Sequence, residues 1–324
     1  MRRGGEPVVS PVTRRRLVVI RSGGLGDTIL LLPALRRLLD REPDAELTVI
    51  GSHWAEDVRP LVPFPYSFVR FDSPALAPLF GSVAKEDPLG VISSADVLIL
   101  YTDSPGEPLV RNIRGLCRGR VKVWPVSPQP GVHAADHFAE AVGRGEGPTA
   151  DPCDGASPNR LRVPDALCAW ARSWIRDRLG SAGGVAIHPG SGGRRKCWPP
   201  ERFAEVAVAL GRPVVLFEGP ADAEACRAFR EQAPAGLRLA RADGLPLPEA
   251  AALIEACGVF LGNDSGMSHL AGALGVLTVA VFGPTDPSVW APRGRAVRVA
   301  RGPGGAWPEV ETVREAVAAG ALAP

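Results

Sequence analysis

Charge of one sign, long apolar runs and patterned cysteines are all missing from this 324-residue chain. Lys and Arg number 37 against 35 Asp and Glu, a net charge of +2. A nucleic-acid binder usually carries a strong basic excess, so that class is set aside. No apolar run approaches the roughly 20 residues of a transmembrane helix. Residues 17–20 are apolar, but Arg21 and Gly23 end the run, too soon for the core of a signal peptide. The expectation is a cytoplasmic protein without a transmembrane segment. Cys117, Cys153, Cys168, Cys197, Cys226 and Cys257 are scattered with no C-x-x-C pair. That spacing argues against a disulfide framework or a zinc site and for free thiols.

Nucleotide and metal signatures are absent too. The G-x-G-x-x-G fingerprint fails, because Ile29 stands where the third glycine would follow Gly24-Leu25-Gly26. There is no G-x-x-x-x-G-K-[ST] loop and no H-E-x-x-H frame. His133 and His137 are four apart and would share one helix face, which reads as a surface helix rather than a metal site.

What is present is a 45% apolar chain with 37 glycines and 33 prolines. Such a composition excludes global disorder and suits a fold with many tight turns. The length suits two domains. Residues 1–15 read as a loose tail and 144–160 as a linker. The expected division is 16–150 and 151–324. In the first part the pattern predicts a strand at 17–21, a glycine turn, a helix at 28–41 and a strand at 46–50. Residues 58–80 read as loop with one strand. Strands follow at 96–101 and 121–124, then a helix at 132–143. In the second part helices are predicted near 165–179, 201–210, 221–231, 247–256 and 267–274. Strands fall at 185–188, 213–217, 259–262 and 277–281. Two such alternations predict an α/β protein of two doubly wound, Rossmann-like domains facing a cleft, with ligands beyond the carboxyl ends of the strands.

Three segments lie at those ends. The first is Arg21-Ser22-Gly23-Gly24-Leu25-Gly26-Asp27. Gly23, Gly24 and Gly26 allow backbone to approach a ligand. Asp27 is either a helix N-cap or a working carboxylate. The second runs from His188-Pro189-Gly190-Ser191 through Arg194-Arg195-Lys196 to Trp198-Pro199. Backbone N–H groups, the Ser191 hydroxyl and the Lys196 charge together suit phosphates, although a basic loop can simply be solvated. The third, Asn263-Asp264-Ser265-Gly266-Met267-Ser268-His269, joins a strand to a helix. Asp264 or Ser265 would cap that helix, and its free N–H groups would hold an anion. His269 is either a ligand-contacting or a core residue. Glu218 and Glu224 flank Gly219-Pro220, where a carboxylate could take ribose hydroxyls or simply start a helix.

Together with Pro33 and Phe282-Gly283-Pro284-Thr285-Asp286-Pro287, these segments resemble glycosyltransferase family 9, the lipopolysaccharide heptosyltransferases. The resemblance spans about 17–290, most strongly 184–290. It implies a GT-B fold, with an N-terminal acceptor domain and a C-terminal donor domain. It also implies inverting, metal-free transfer of a sugar from a nucleotide donor, typically ADP-heptose, with no separate cofactor. By motif match Asp27 takes the place of the catalytic base and Lys196 that of the lysine on the donor phosphates. Ser191, Asp264, Ser265, Gly266 and His269 fall on the donor site, and Thr285 and Asp286 in the closing turn. The implied acceptor is a cell-envelope glycan or glycolipid, such as lipopolysaccharide inner core, met at the inner membrane surface. Arg59, Arg111 and Arg114 are candidates to hold it. The rival classes are a nucleotide-sugar-binding or epimerase-like protein without transfer, and an NAD-dependent oxidoreductase, against which the broken fingerprint argues.

Overall fold

The structure is a computed structural model and describes residues 14–143 and 160–321. The tail expected at 1–15 and the linker expected at 144–160 lie, but for Arg14, Arg15 and Arg160, outside the described residues. The first half comprises β1 (Arg16–Arg21), α1 (Leu25–Arg41), β2 (Glu46–Gly51), α2 (His53–Val58), β3 (Ser67–Arg70), β4 (Val97–Tyr101), α3 (Pro108–Leu116), β5 (Arg120–Trp124) and α4 (Ala134–Glu140). Its strands form a parallel sheet in the order β3-β2-β1-β4-β5. The second half comprises α5 (Asp165–Leu179), β6 (Val185–His188), α6 (Pro200–Leu210), β7 (Val214–Glu218), α7 (Ala223–Gln232), β8 (Leu239–Asp243), α8 (Leu247–Cys257) and β9 (Val259–Asn263). There follow α9 (Gly266–Ala273), β10 (Leu277–Phe282), α10 (Pro287–Trp290), β11 (Val297–Arg301) and α11 (Val310–Ala321). Its parallel sheet runs β11-β10-β9-β6-β7-β8.

Both sheets are doubly wound, as expected. The order reverses between β1 and β4 in one and between β6 and β9 in the other. Crevices open at such switch points, beyond the carboxyl ends of the strands. β1 and β6 are buried on both faces because helices cover both sides, which is why they read as unbroken apolar runs. In β1, Leu17 and Val19 face α1 and α4, while Val18 and Ile20 face α3. In the second half α6, α7 and α11 cover one face of the sheet.

The largest apolar cluster crosses from one half to the other. It takes in Leu31 and Leu35 of α1 together with Leu253 of α8 and Leu270 of α9. A backbone bond reinforces the join: Arg162 N–H donates to the Leu61 carbonyl at 2.8 Å. Arg293 forms an ion pair with Asp136 of α4.

Three expectations need correction. Helix α1 begins at Leu25, three residues before the predicted start, because Gly24 is its N-cap. Asp27 is therefore the third residue of the helix and not its cap; its carboxylate reaches back to the Gly24 N–H at 2.9 Å. The helix predicted over 132–143 is shorter and lies inside rather than on the surface. His133 caps it, accepting from Ala135 N–H through Nδ1, so Nε2 carries the proton that meets the Ala291 carbonyl at 3.0 Å. His137 is buried against the Pro125 carbonyl at 2.8 Å. Finally, α2, α3, β8, α10, β11 and α11 were not anticipated.

The loop after β6 is pinned at its far end by Trp198. Its ring is fully buried, stands edge-on to Phe203 at 5.0 Å and donates from Nε1 to the Pro308 carbonyl at 3.1 Å. Truncating a buried Trp typically costs about 3–5 kcal/mol. Trp198→Ala is expected to lower the unfolding free energy by that amount, seen as a lower urea midpoint with an unchanged slope by circular dichroism.

Candidate active site between the two sheets

A cavity of about 800 Å³ opens where the carboxyl edges of the two sheets meet. Its walls include Gly24, Gly26 and Asp27 from the first half. From the second come His188, Ser191, Lys196, Asp264, Ser265, Gly266 and His269. The three motif segments, far apart in the sequence, thus share one space.

The chain turns after β6 and β9 make the second wall. Asn263 is fully buried and clasps the loop that follows β6. Its Oδ1 accepts from Trp198 N–H at 2.8 Å, and its Nδ2 donates to the Pro189 carbonyl at 2.8 Å and the Gly190 carbonyl at 3.3 Å. Ser191 Oγ donates to the Asp264 carbonyl at 2.8 Å. Lys196 lies in a short 3-10 turn, Arg194–Lys196, and its Nζ is 2.9 Å from Asp264 Oδ2. Thr285 Oγ1 donates to the same oxygen at 2.8 Å. Asp264 is buried, whereas the Lys196 side chain is 41% exposed, so a ligand can reach the ammonium group.

Helix α9 starts at this wall. Ser265 occupies the N-cap position, but no side chain caps the helix, contrary to the expectation that Asp264 or Ser265 would. The Asp264 carboxylate is turned to Lys196 and Thr285, and the Ser265 hydroxyl is buried without a partner. The first N–H groups of a helix have no partner within it and carry the positive end of the dipole. An anion is the natural occupant of such a place.

His269 stands at the junction of the halves. Its ring lies so close to Gly26 that a Cβ there would sit 2.9 Å from His269 Cδ2. Burial pushes its pKa down to about 4, only partly opposed by the carboxylates of Asp264 and Asp27. His188, at the end of β6, shares its Nε2 with Asp222 Oδ2 at 2.9 Å. Burial acts to raise the Asp222 pKa, but the bond and charge from His188 and the Gly219 N–H outweigh it, and the net shift is downward.

The first wall presents Asp27. Its Oδ1 accepts from Arg21 Nη2 at 2.7 Å, and its side chain keeps 30% of its exposure. Beside it, Ser52 Oγ donates to the Gly23 carbonyl at 2.6 Å and fixes the start of α2, whose His53, Trp54 and Asp57 also line the cavity. The motifs gave no hint of these three; Ser52 directly after a strand was the available helix-start signal. Asp222 was likewise missed, although it ends a Gly-Pro-Ala-Asp turn after a strand. Not every candidate reaches the cavity. Glu224 points to solvent and pairs with Arg194 at 2.5 Å, whereas Glu218 lines the wall. Asp286 is exposed and caps α10 through Ser288 N–H at 3.0 Å. Arg59 is exposed, and Arg111 and Arg114 lie on α3, across the sheet from α1 and away from the cavity lining.

A histidine whose folded pKa lies below its unfolded value of about 6.5 binds its proton on unfolding, so stability falls with pH between those two values. The expected result is an NMR titration of His269 with a midpoint near 4. Stability should decline from pH 6.5 toward 4 in the wild type, and more weakly in His269→Gln.

Comparison with known proteins gives the same picture. Residues 166–317 match the model of the family described as glycosyltransferase family 9 (heptosyltransferase). Lipopolysaccharide heptosyltransferase 2 of Salmonella typhimurium is 36% identical over 116 residues, which is 34% of this chain and 33% of that protein. The alignment thus spans about a third of the length of the curated relatives. Among solved structures, the ADP-heptose lipopolysaccharide heptosyltransferase II of E. coli superposes with a TM-score of 0.74, covering 95% of this chain and 98% of that one at 20% identity. A glycosyl transferase family 9 structure from Veillonella parvula also gives 0.74, covering 95% and 97% at 21% identity. Residues 166–317 are therefore a glycosyltransferase family 9 (heptosyltransferase) domain, set in a chain that has the fold of the GT-B heptosyltransferases along nearly all its length.

Proposed function

We propose that this protein is an inverting, metal-independent glycosyltransferase that moves a sugar, heptose in the first instance, from a nucleotide donor to a cell-envelope glycan or glycolipid. The observation that carries the reading is the single cavity into which one half contributes Asp27 and the other Ser191, Lys196 and the uncapped start of α9. The residues after β6 and β9 are the donor side. The relatives named above are lipopolysaccharide heptosyltransferases, and one is described as using ADP-heptose. The acceptor would enter from the side of β1 and α2. In this role the protein works at the inner face of the inner membrane; among the described residues no helix is long and apolar enough to cross it.

In the proposed reaction an acceptor hydroxyl attacks the anomeric carbon of the donor. The bond from that carbon to the diphosphate oxygen breaks, and its electron pair leaves with the diphosphate. The hydroxyl proton passes to Asp27. Charge gathers on the departing diphosphate, where Lys196 exchanges Asp264 for phosphate oxygens and the α9 N-terminus adds its dipole. His269, held neutral, can donate or accept a hydrogen bond without adding charge. The reading gives no residue role to Glu224 or Asp286, which lie outside the cavity lining.

The test is incubation with ADP-heptose and other sugar nucleotides, together with cell-envelope extract, with products detected by mass. Transfer should survive EDTA; loss in EDTA that magnesium or manganese restores would contradict metal independence. Lys196→Ala should weaken ADP binding about 10–100-fold, from the 1.5–3 kcal/mol of a charged hydrogen bond, and leave adenosine binding almost unchanged. Equal weakening of both ligands would remove Lys196 from the phosphates.

A further inference from the structure

Asp27 is held by both of its oxygens. Oδ2 takes the Gly24 N–H at 2.9 Å and Oδ1 takes Arg21 Nη2 at 2.7 Å. Arg21 ends β1, and its side chain is only 4% exposed. Its Nη1 donates to the Ser22 carbonyl at 3.1 Å, and its guanidinium carbon lies 4.6 Å from the centre of the Phe138 ring. Its Nε is buried without a partner. Burial lowers the Arg21 pKa, and the charges of Asp27, Tyr101 and Asp103 oppose this only in part. A buried guanidinium with an unmet N–H is a costly way to brace a helix start. The α1 start already has its bond, since the Gly24 N–H donates to the Asp27 carboxylate. Capping alone gives no reason for Arg21.

We propose that Arg21 is the positioning residue for Asp27, acting through it and not on the substrate. This rests on the transferase reading, in which Asp27 takes the acceptor proton. A free aspartate side chain turns about two bonds. With Oδ2 on a backbone N–H and Oδ1 on a planar, multiply held guanidinium, the carboxylate plane is fixed. Each oxygen still has a lone pair for a hydroxyl proton. Arginine suits this task because its fork is rigid and stacks on an aromatic face, properties that lysine lacks. The face is supplied by α4, the helix that also carries Asp136, the ion-pair partner of Arg293. The seat of the positioning residue is thereby tied to the opposite half of the molecule.

The experiment compares wild type, Arg21→Ala and Arg21→Lys for melting temperature, ADP affinity and the split between kcat and donor KM. Misplacement of a reacting group by about 1 Å can cost roughly 10²-fold in rate, which sets the expected fall in kcat for Arg21→Ala, with ADP affinity and donor KM unchanged. Added guanidinium ion, far below unfolding concentrations, should restore turnover to Arg21→Ala in a saturable way. Urea, its neutral near-isostere, should not. Arg21→Lys keeps the charge but loses the fork, so it should fold and still show reduced kcat. Wild-type kcat in either folded variant would overturn the proposal. So would equal rescue by urea, or a loss confined to donor KM. Should Arg21→Ala fail to fold, Arg21→Lys decides by the same kcat criterion. Wild-type protein that transfers no sugar would instead remove the transferase reading on which the proposal stands.

Discussion

The arrangement of this molecule depends on how closely the first turns of α1 and α9 approach each other. A Cβ on Gly266 would stand 2.6 Å from the Cβ of Leu25, and one on Gly26 would stand 2.9 Å from the ring of His269. Side chains at these two glycines would force the helix starts apart. Because they touch, two positive helix ends open on one cavity. Asp27, two residues into α1, then lies across from the loop that carries Ser191 and Lys196. Behind the contact, the continuous apolar cluster of α1, α8 and α9 makes the approach favourable without any polar group having to fit.

Three carboxylates at the cavity are paired: Asp27 with Arg21, Asp264 with Lys196, Asp222 with His188. Unpaired buried charges are expensive, so each pair keeps a charged group in a partly dry site at tolerable cost. The pairs differ in how firmly they are held. Arg21 is enclosed by Ser22 and Phe138 and has nowhere else to turn. Lys196 is 41% exposed on a flexible stem, so an incoming diphosphate can draw it away while Thr285 keeps its bond to Asp264. A fixed carboxylate facing an exchangeable cation suits a reaction in which the proton acceptor stays still and the leaving group moves.

Much of the fold was legible because parallel strands buried on both faces leave uninterrupted apolar runs, as in residues 185–188 and 97–101. The site was legible because its residues cluster in short motifs at strand ends. What escaped had weaker local signals. Helix α2 has only six residues, and β11 alternates arginine with apolar residues on a half-exposed edge. An N-cap stayed open as one reading of Asp27 because glycine, the actual cap, has no side chain to announce the role. Helix α4 was read as a surface helix because its two histidines look polar, yet both meet backbone carbonyls in the interior. Arg21 could not be given its part from sequence, since its ring partner Phe138 lies more than a hundred residues away.

The central claim is that Asp27 is the base and not merely a brace for the start of α1. Asp27→Asn keeps an oxygen for the Gly24 N–H but cannot take a proton usefully, and it loses the ion pair with Arg21. Calorimetric ADP affinity and turnover measured on the same folded variant separate binding from chemistry. The account predicts near wild-type ADP affinity with turnover lower by about 10²–10⁴-fold, the usual worth of general-base catalysis. A folded Asp27→Asn protein with near-normal turnover would contradict it.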